Sequence, residues 1–212
     1  MDNFYLARAN MVKGQVMPNK IVDRRIIDIM LEVPRHLFVP DNFKSIAYSD
    51  ELIVLNDSRC LIPPMDFAQL VQSLEIKSDD VVLVVACGRG YSSTVVSHLC
   101  KKVVAIESDS DLATKANYMI KKLDIGNVIV LNGRLSQGHA DGAPYDAIFC
   151  NGALSGIPHD LLSQLAEGGR LVAVINDGTG GKATLFVKND GIISKHYLFD
   201  ANLPILNDFN EA

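Results

Sequence analysis

The chain has 212 residues, of which 48% are hydrophobic and 21% are charged. At roughly 150 residues per domain, this length fits one large domain or one domain with an added subdomain. The composition is typical of a folded globular protein and excludes a largely disordered chain. The net charge of −5 argues against an extended nucleic-acid surface, which is usually basic.

We expect neither a membrane nor a nucleic acid as a partner, and a cytoplasmic location. The longest apolar run, Val81–Cys87, is far shorter than the roughly 20 residues that a membrane-spanning helix needs. The first residues lack the charged and apolar regions of a signal peptide. Residues 1–25 carry five Lys and Arg side chains, a pattern typical of a solvated surface or, alternatively, of a site for an anionic partner. Nothing in the sequence indicates an oligomeric state.

The cysteines and histidines are scattered along the chain. They lie at Cys60, Cys87, Cys100, Cys150, His36, His98, His139, His159 and His196. No two of them have the close spacing that metal ligands usually show. The sequence therefore predicts no metal site and four free thiols in the core.

The first 77 residues indicate helices joined by loops. Apolar residues at helical spacing predict one helix over 21–33, with Asn19 as a possible cap and Pro34 as its end. The same spacing predicts a second helix over 65–76. The segment 40–64 is rich in Pro, Asn, Asp and Ser and predicts loop, with one short strand over 52–55.

From Ser78 onward, short apolar runs alternate with amphipathic stretches. The runs predict strands over 81–86, 103–107, 128–131, 145–150, 170–175, 183–187 and 192–199, and the stretches predict helices over 92–100, 109–123 and 159–165. The last two strands flank a short connection ending in Gly191, which is typical of an antiparallel hairpin. Residues 201–212 fit either a loose tail or an ordered cover over the sheet.

These elements predict an α/β fold. It has a doubly wound, mostly parallel sheet of seven strands, an antiparallel C-terminal pair and an N-terminal helical extension, because parallel strands need crossover helices. We divide the chain into an extension over 1–77 and a Rossmann-like core over 78–212, which form one compact unit.

The most informative motif is the turn Ala86-Cys87-Gly88-Arg89-Gly90, between an apolar strand and a helix. Glycines in such a turn let backbone N–H groups approach an anionic or nucleotide ligand. Glu107 follows Gly88 by nineteen residues and ends the next strand, where a carboxylate can accept bonds from both hydroxyls of a ribose. A tight turn followed by a surface Glu is the alternative.

The strand, the glycine turn and the acidic strand end resemble class I S-adenosylmethionine-dependent methyltransferases. The segments 33–40 (VPRHLFVP), 47–50 (AYSD), 144–148 (PYDAI) and 165–172 (LAEGGRLV) resemble the protein-L-isoaspartate O-methyltransferase family. The resemblance covers roughly residues 10–190, and its most specific part is the VPRHLFVP segment, because many enzymes share the methyltransferase core.

The resemblance implies S-adenosylmethionine as cofactor, with Ala86, Cys87, Gly88, Gly90, Glu107, Gly133 and Arg134 at the cofactor positions. It implies methylation of the carboxylate of isoaspartyl residues in damaged proteins or peptides, with Asp50 and Arg59 on the substrate side. Since the nucleophile is already an anion, positioning supplies most of the rate. No catalytic triad is therefore expected.

Several residues depart from the family pattern on the substrate side. Cys60 and Ile62 stand where the family has Thr and Ser, and a hydroxyl that bonds a carboxylate contributes about 1.5 to 3 kcal/mol. Arg59 offers a carboxylate-binding fork in compensation, or is a surface Arg in a loop. Asp50 is either a substrate-side residue or a turn residue bonding local backbone N–H groups.

The cofactor positions depart as well. Val84, Ala86 and Arg89 replace Asp, Gly and Thr or Ser, and Arg134 replaces an Asp that would accept from the adenine amino group. If the backbone at Ala86 has positive φ, its Cβ costs about 1 to 2 kcal/mol, which weakens binding without abolishing it. Arg134 either stacks on adenine or points to solvent.

Three functions stay open beside isoaspartyl repair. The chain could methylate another acceptor, or it could be a noncatalytic relative that kept the fold as an interaction module. A nicotinamide-dependent oxidoreductase fits less well, because the glycine spacing and the antiparallel last pair differ from that fold.

Overall fold

The computed structural model describes residues 3–209, and the chain starts with a helical segment. Helix α1 (Asn3–Met11) continues into a π-helical turn over 12–16 and a 3₁₀ turn over 17–19. Helix α2 spans Arg24–Glu32 and buries the face that carries Ile26, Ile27 and Met30. The predicted helix over 21–33 is thus confirmed with shorter ends.

The cap of α2 differs from the predicted one. Asp23 is the N-cap, and its Oδ1 accepts from Arg25 N at 2.9 Å. The proposed cap, Asn19, instead donates its side-chain amide to Gln15 O at 2.7 Å. Lys20 follows in the left-handed conformation at φ 63°, so a turn separates Asn19 from the helix.

The segment predicted as loop holds more structure than the sequence indicated. Residues 41–46 form a 3₁₀ turn, as do residues 35–38 just before the segment, and β1 (Ile53–Asn56) pairs antiparallel with β2 (Arg59–Leu61). The predicted strand over 52–55 corresponds to β1, while β2 was not predicted. Helix α3 (Pro64–Ser73) follows at the place predicted for the second helix.

The second part alternates strands and helices as predicted. In chain order it comprises β3 (Val81–Val85), α4 (Tyr91–Ser97), β4 (Lys102–Glu107), α5 (Ser110–Lys122), β5 (Val128–Asn132), β6 (Tyr145–Leu154), α6 (His159–Ser163), β7 (Leu165–Asn176), β8 (Gly181–Asn189) and β9 (Ile192–Asp200). Strand β7 begins before the predicted 170–175, because Leu165 already pairs with Tyr145 of β6, ahead of Gly168 and Gly169.

The seven strands form one sheet in the order β5-β4-β3-β6-β7-β8-β9. The first five are parallel, and β8 and β9 close the sheet as antiparallel strands. The predicted fold class is therefore confirmed. The chain passes from β3 to β4 on one side of β3 and later returns to β6 on its other side, so the strand order reverses at β3. In doubly wound folds, ligands bind beyond the carboxyl ends of the strands at such a point.

The N-terminal extension shares its core with the sheet. The larger hydrophobic cluster contains Val16, Met30 and Phe67 from the extension together with Val82 and Phe149 from the sheet. The boundary near Ser78 therefore stays an interpretation of the sequence, since packing continues across it.

One arginine links the extension to the base of the sheet. Arg170 of β7 donates to Leu74 O at 2.8 Å and to Glu75 O at 2.9 Å, just after α3. It also bonds Asp146 O at 3.0 Å and the Asp80 carboxylate at 2.9 Å.

Residues 201–209 form an ordered cover, and residues 210–212 lie outside the described range. Ala153 N donates to Pro204 O at 3.0 Å, and Leu206 N donates to Ala153 O at 2.8 Å. Leu203 and Leu206 are buried. This segment therefore continues the sheet beside the end of β6, past the end of β3.

All four cysteines are buried, which confirms their predicted core location. Burial raises the pKa of Cys60 to about 11 and that of Cys100 to about 12. Residues 3–209 contain no cluster of three metal-ligating side chains. Within the same range, no helix combines the length and apolar character needed to cross a membrane.

Candidate functional site

The turn between β3 and α4 lies at the carboxyl edge of the sheet. Ala86, Gly88 and Gly90 have φ values of 59°, 56° and 95°. A side chain in this left-handed region costs about 1 to 2 kcal/mol, so Ala86 carries the strain considered from the sequence. Asn151 of β6 donates its side-chain amide to Ala86 O at 2.9 Å, and Cys87 is buried within the turn.

Glu107, at the end of β4, is the acidic centre of this edge. Its side chain is 0% exposed, so the surface alternative is wrong. Oε2 accepts from Gly88 N at 2.8 Å, and Oε1 accepts from Arg59 Nε at 2.9 Å and from Asp109 N at 3.1 Å. The backbone oxygen of Glu107 accepts from Gly133 N at 3.1 Å, which brings the end of β5 to the same place.

The partner of Glu107 comes from the β1–β2 hairpin. Arg59 is 2% exposed and donates from Nη2 to Ser108 Oγ at 2.7 Å and from Nη1 to Ser58 O at 2.9 Å. The alternative of a surface Arg in a loop is thus wrong. Arg59 does hold a carboxylate, but that carboxylate belongs to Glu107 of the same chain.

Two further contacts fix the hairpin over the turn. Asn56 Nδ2 donates to Asp109 Oδ2 at 2.8 Å, so the hairpin also holds the residue that caps α5. A Cβ at Gly88 would lie 2.9 Å from Leu55 Cδ1. A side chain at Gly88 would therefore be strained by its φ and would displace Leu55.

Two further arginines belong to the predicted cofactor region, one exposed and one half-buried. Arg134 is exposed, which agrees with the solvent alternative. Arg89 is half-buried, and burial lowers its pKa while the carboxylates of Asp41 and Asp111 oppose that shift. Arg89 therefore sits among acidic side chains flanking the turn.

The substrate-side residues lie at the start of α3. Asp50 is exposed, and its Oδ1 accepts from Met65 N at 3.1 Å, so it bonds the first turn of α3 across fifteen residues. Cys60 and Ile62, the positions where the family pattern has hydroxyls, are 6% and 1% exposed. Both side chains contribute to the apolar interior.

Sequence reasoning missed the role of Arg35. Its guanidinium is fully buried, and it donates to Ala47 O at 2.8 Å and to Ile62 O at 2.7 Å. It lies 4.9 Å from the centre of the Tyr91 ring, and burial lowers its pKa. Arg35 thus ties together the two segments that carry Asp50 and the residues before α3. The available signal was its place in the VPRHLFVP motif.

The structure therefore brings most of the predicted site residues to one edge. Ala86, Cys87, Gly88, Gly90 and Glu107 surround the turn. Arg59 and Gly133 contact Glu107 directly, whereas Arg134 and Asp50 are exposed at the surface.

Comparison with known proteins decides the family. A model of the protein-L-isoaspartate(D-aspartate) O-methyltransferase family matches residues 8–202. The chain belongs to this family. The resemblance seen in the sequence is thus confirmed over most of the chain.

Members of the protein-L-isoaspartate O-methyltransferase family from several microbes are similar to this chain. The one named protein-L-isoaspartate O-methyltransferase 1 from Syntrophobacter fumaroxidans is 40% identical over 177 residues, covering 84% of this chain and 83% of the relative. The relative from Methanoculleus marisnigri is 35% identical over 184 residues, covering 87% of this chain and 84% of its own.

Solved structures of this family share the fold. One protein-L-isoaspartate O-methyltransferase has a TM-score of 0.82 at 25% identity, and the match covers 93% of this chain but only 65% of that one. A Plasmodium falciparum structure, described as such a methyltransferase in complex with S-adenosyl-L-homocysteine, has a TM-score of 0.81 at 22% identity. That match covers 98% of this chain and 100% of the other, and it shows the fold alone.

Proposed function

We propose that this chain is an S-adenosylmethionine-dependent methyltransferase that acts on the carboxylate of isoaspartyl residues in damaged proteins. The observation that carries the proposal is the family match over residues 8–202. The retained glycine turn and Glu107 at the carboxyl edge of the sheet support it.

The backbone around the turn fits such a cofactor. Gly88 and Gly90 place no Cβ in the left-handed turn, and Ala86 already adopts the required φ. The Glu107 carboxylate is retained at the strand end, where it can accept from ribose hydroxyls once Arg59 has moved from it. Gly133 N donates to Glu107 O at 3.1 Å, which places the end of β5 beside Glu107.

When bound, S-adenosylmethionine supplies a methyl group on a sulfonium, which a substrate carboxylate oxygen takes by in-line displacement as the carbon–sulfur electron pair returns to sulfur. The chain itself needs to orient the two reactants and exclude water. Arg35 contributes by fixing the segments at Ala47 and Ile62.

The identity of the acceptor depends on the segment before α3. Cys60 and Ile62 are buried and apolar there, so their side chains do not replace the hydroxyls of the family pattern. Recognition of an isoaspartyl carboxylate then has to use groups other than these two side chains. A different methyl acceptor is the alternative within the same reaction class.

The Arg59–Glu107 contact favours a second candidate, a noncatalytic interaction module. In that case the ion pair replaces the nucleoside permanently, and the fold serves as a binding surface. Proteins with a shared fold often differ in activity in this way. A cytoplasmic location stays a prediction under either reading, and protein substrates stay a prediction under the first.

Calorimetric titration with S-adenosylhomocysteine separates the candidates. Binding, followed by methyl transfer to an isoaspartyl peptide and none to the aspartyl peptide of the same sequence, is the expected result. Binding without methyl transfer to either peptide would reject isoaspartyl repair and point to another acceptor. No heat at millimolar ligand would favour the interaction module.

A further inference from the structure

Three donors of the chain itself already bond the Glu107 carboxylate. Its two oxygens accept from Gly88 N, Arg59 Nε and Asp109 N at 2.8, 2.9 and 3.1 Å. The Glu107 side chain is 0% exposed, and that of Arg59 is 2% exposed. A ligand hydroxyl can reach Glu107 only if one of these three donors leaves.

Among the three donors, Arg59 is the one that can leave. Gly88 N and Asp109 N belong to the backbone of the turn and of the α5 cap, which the sheet holds in place. Arg59 lies on a long side chain that starts from β2. Its remaining bonds go to Ser108 Oγ and to Ser58 O, and water can replace both.

The backbone hydrogen bonds of the hairpin that carries Arg59 are separate from those of the main sheet. Strands β1 and β2 form their own two-stranded sheet, with an irregular register between Val54 and Asn56. Isolated two-stranded hairpins are marginally stable in water. The body of the hairpin stays packed, since Ile53 and Leu61 are buried in the core. Its tip is held by Asn56 on Asp109 and by Leu55 against Gly88, so the movement that frees Glu107 is confined to the tip and the Arg59 side chain.

We propose that Arg59 is an affinity-determining residue that competes with the ribose hydroxyls of a nucleoside cofactor for the Glu107 carboxylate. The proposal rests on the proposed function, since it assumes a cofactor that bonds Glu107. The Arg59–Glu107 pair is the resting state, and binding requires the guanidinium to leave. The apparent affinity is then the intrinsic affinity multiplied by the fraction of molecules in the open state.

The test compares S-adenosylhomocysteine binding to the wild type and to Arg59→Gln by calorimetry. Gln keeps an amide donor for Glu107 but lacks the charge. If about 1 to 10% of the wild type is open, the variant binds about 10- to 100-fold more tightly. Arg24→Gln, which removes an exposed charge from α2, is the matched control and is expected to bind like the wild type.

A second ligand shows whether Arg59 lowers the affinity by competing for the carboxylate or only by the volume of its side chain. The 2′,3′-dideoxy analogue of S-adenosylhomocysteine has no hydroxyls for Glu107, so Arg59 can stay paired when it binds. The gain from Arg59→Gln is expected to fall below about threefold for this analogue. An equal gain for both ligands would mean that Arg59 acts by volume, and would overturn the proposal.

Failure of this proposal differs from failure of the proposed function. Equal binding of S-adenosylhomocysteine by wild type and Arg59→Gln would refute the competition and leave cofactor binding intact. No binding by either protein at millimolar ligand would refute both. If Arg59→Gln does not fold, Arg59→Lys keeps the charge but has a single donor group, and it is expected to show a smaller gain of about three- to tenfold, whereas no gain would refute the competition.

Discussion

Replacing Glu107 with Gln tests whether the buried ion pair forms in solution. The side chain keeps its size but loses its charge, which leaves the Arg59 guanidinium, 2% exposed, without a counter-charge. Removing one partner of a buried pair costs about 3 to 5 kcal/mol. Because the Gln oxygen can still accept one of the three bonds to Glu107, we expect the lower end, about 3 kcal/mol, or a fall in Tm of about 6 to 12 °C.

Urea unfolding followed by circular dichroism at pH 7 measures this loss. The double variant Arg59→Met with Glu107→Gln removes both charges, and neutral replacements of a buried pair are often tolerated. We therefore expect it to lie within about 2 kcal/mol of the wild type, despite containing one substitution more. Glu51→Gln, on an exposed side chain, is the control and should change stability by less than about 0.5 kcal/mol.

A loss of less than about 1 kcal/mol in the free energy of unfolding of Glu107→Gln would refute this reasoning, because a buried guanidinium without a counter-charge destabilises the fold by more than that. It would mean that Arg59 points to solvent in the free protein. The same result would remove the structural basis for competition with a cofactor.

Three further predictions concern the cap of α2, the glycine turn and the thiols. Asp23→Ala should lower the free energy of unfolding by about 1 kcal/mol at pH 7, since it removes the N-cap. The bond to Arg25 lowers the pKa of Asp23 in the folded protein. The stability that Asp23 contributes is therefore complete above its unfolded pKa of 3.8 and is lost as the pH falls through the lower folded pKa. A stability difference that persists unchanged at pH 2 would contradict this assignment. Gly90→Ala should lower stability by at least about 1 to 2 kcal/mol in thermal unfolding, because φ is 95° and the new Cβ would lie 3.3 Å from Ala116 Cβ, whereas Gly126→Ala, with open space around it, serves as the control. The four buried thiols should react with Ellman's reagent only after denaturation, since burial raises each pKa, and rapid labelling of the native protein would disprove their burial.

The sheet could be predicted because its strands are continuous apolar runs. Strands buried on both faces leave no polar alternation to confuse the pattern, and the runs at 81–86 and 103–107 correspond to β3 and β4 within one residue at each end. The helix ends were less predictable. At α2, both Asn19 and Asp23 have capping side chains, and only the left-handed turn at Lys20 decides between them.

The candidate site was predictable in its backbone and not in its side-chain pairing. The turn and Glu107 follow from local sequence, because strand ends and glycines fix where the chain goes. The pairing of Arg59 with Glu107 joins residues 48 positions apart, and it depends on a hairpin of only four and three residues. A signal was present, since Arg59 directly precedes the apolar run Cys60-Leu61-Ile62, where a charged side chain on the same short strand needs a buried partner.

Arg170 has a consequence for the modularity of this protein. The Arg170 side chain of β7 bonds Leu74 O, Glu75 O and the Asp80 carboxylate at once. The end of the extension is therefore bonded directly to the sheet. A segment that replaces residues 3–77 therefore has to place two backbone carbonyl groups within reach of Arg170. A chimaera that fails to do so leaves the Arg170 guanidinium with only Asp146 O and the Asp80 carboxylate, and it is expected to be less stable than the parent protein.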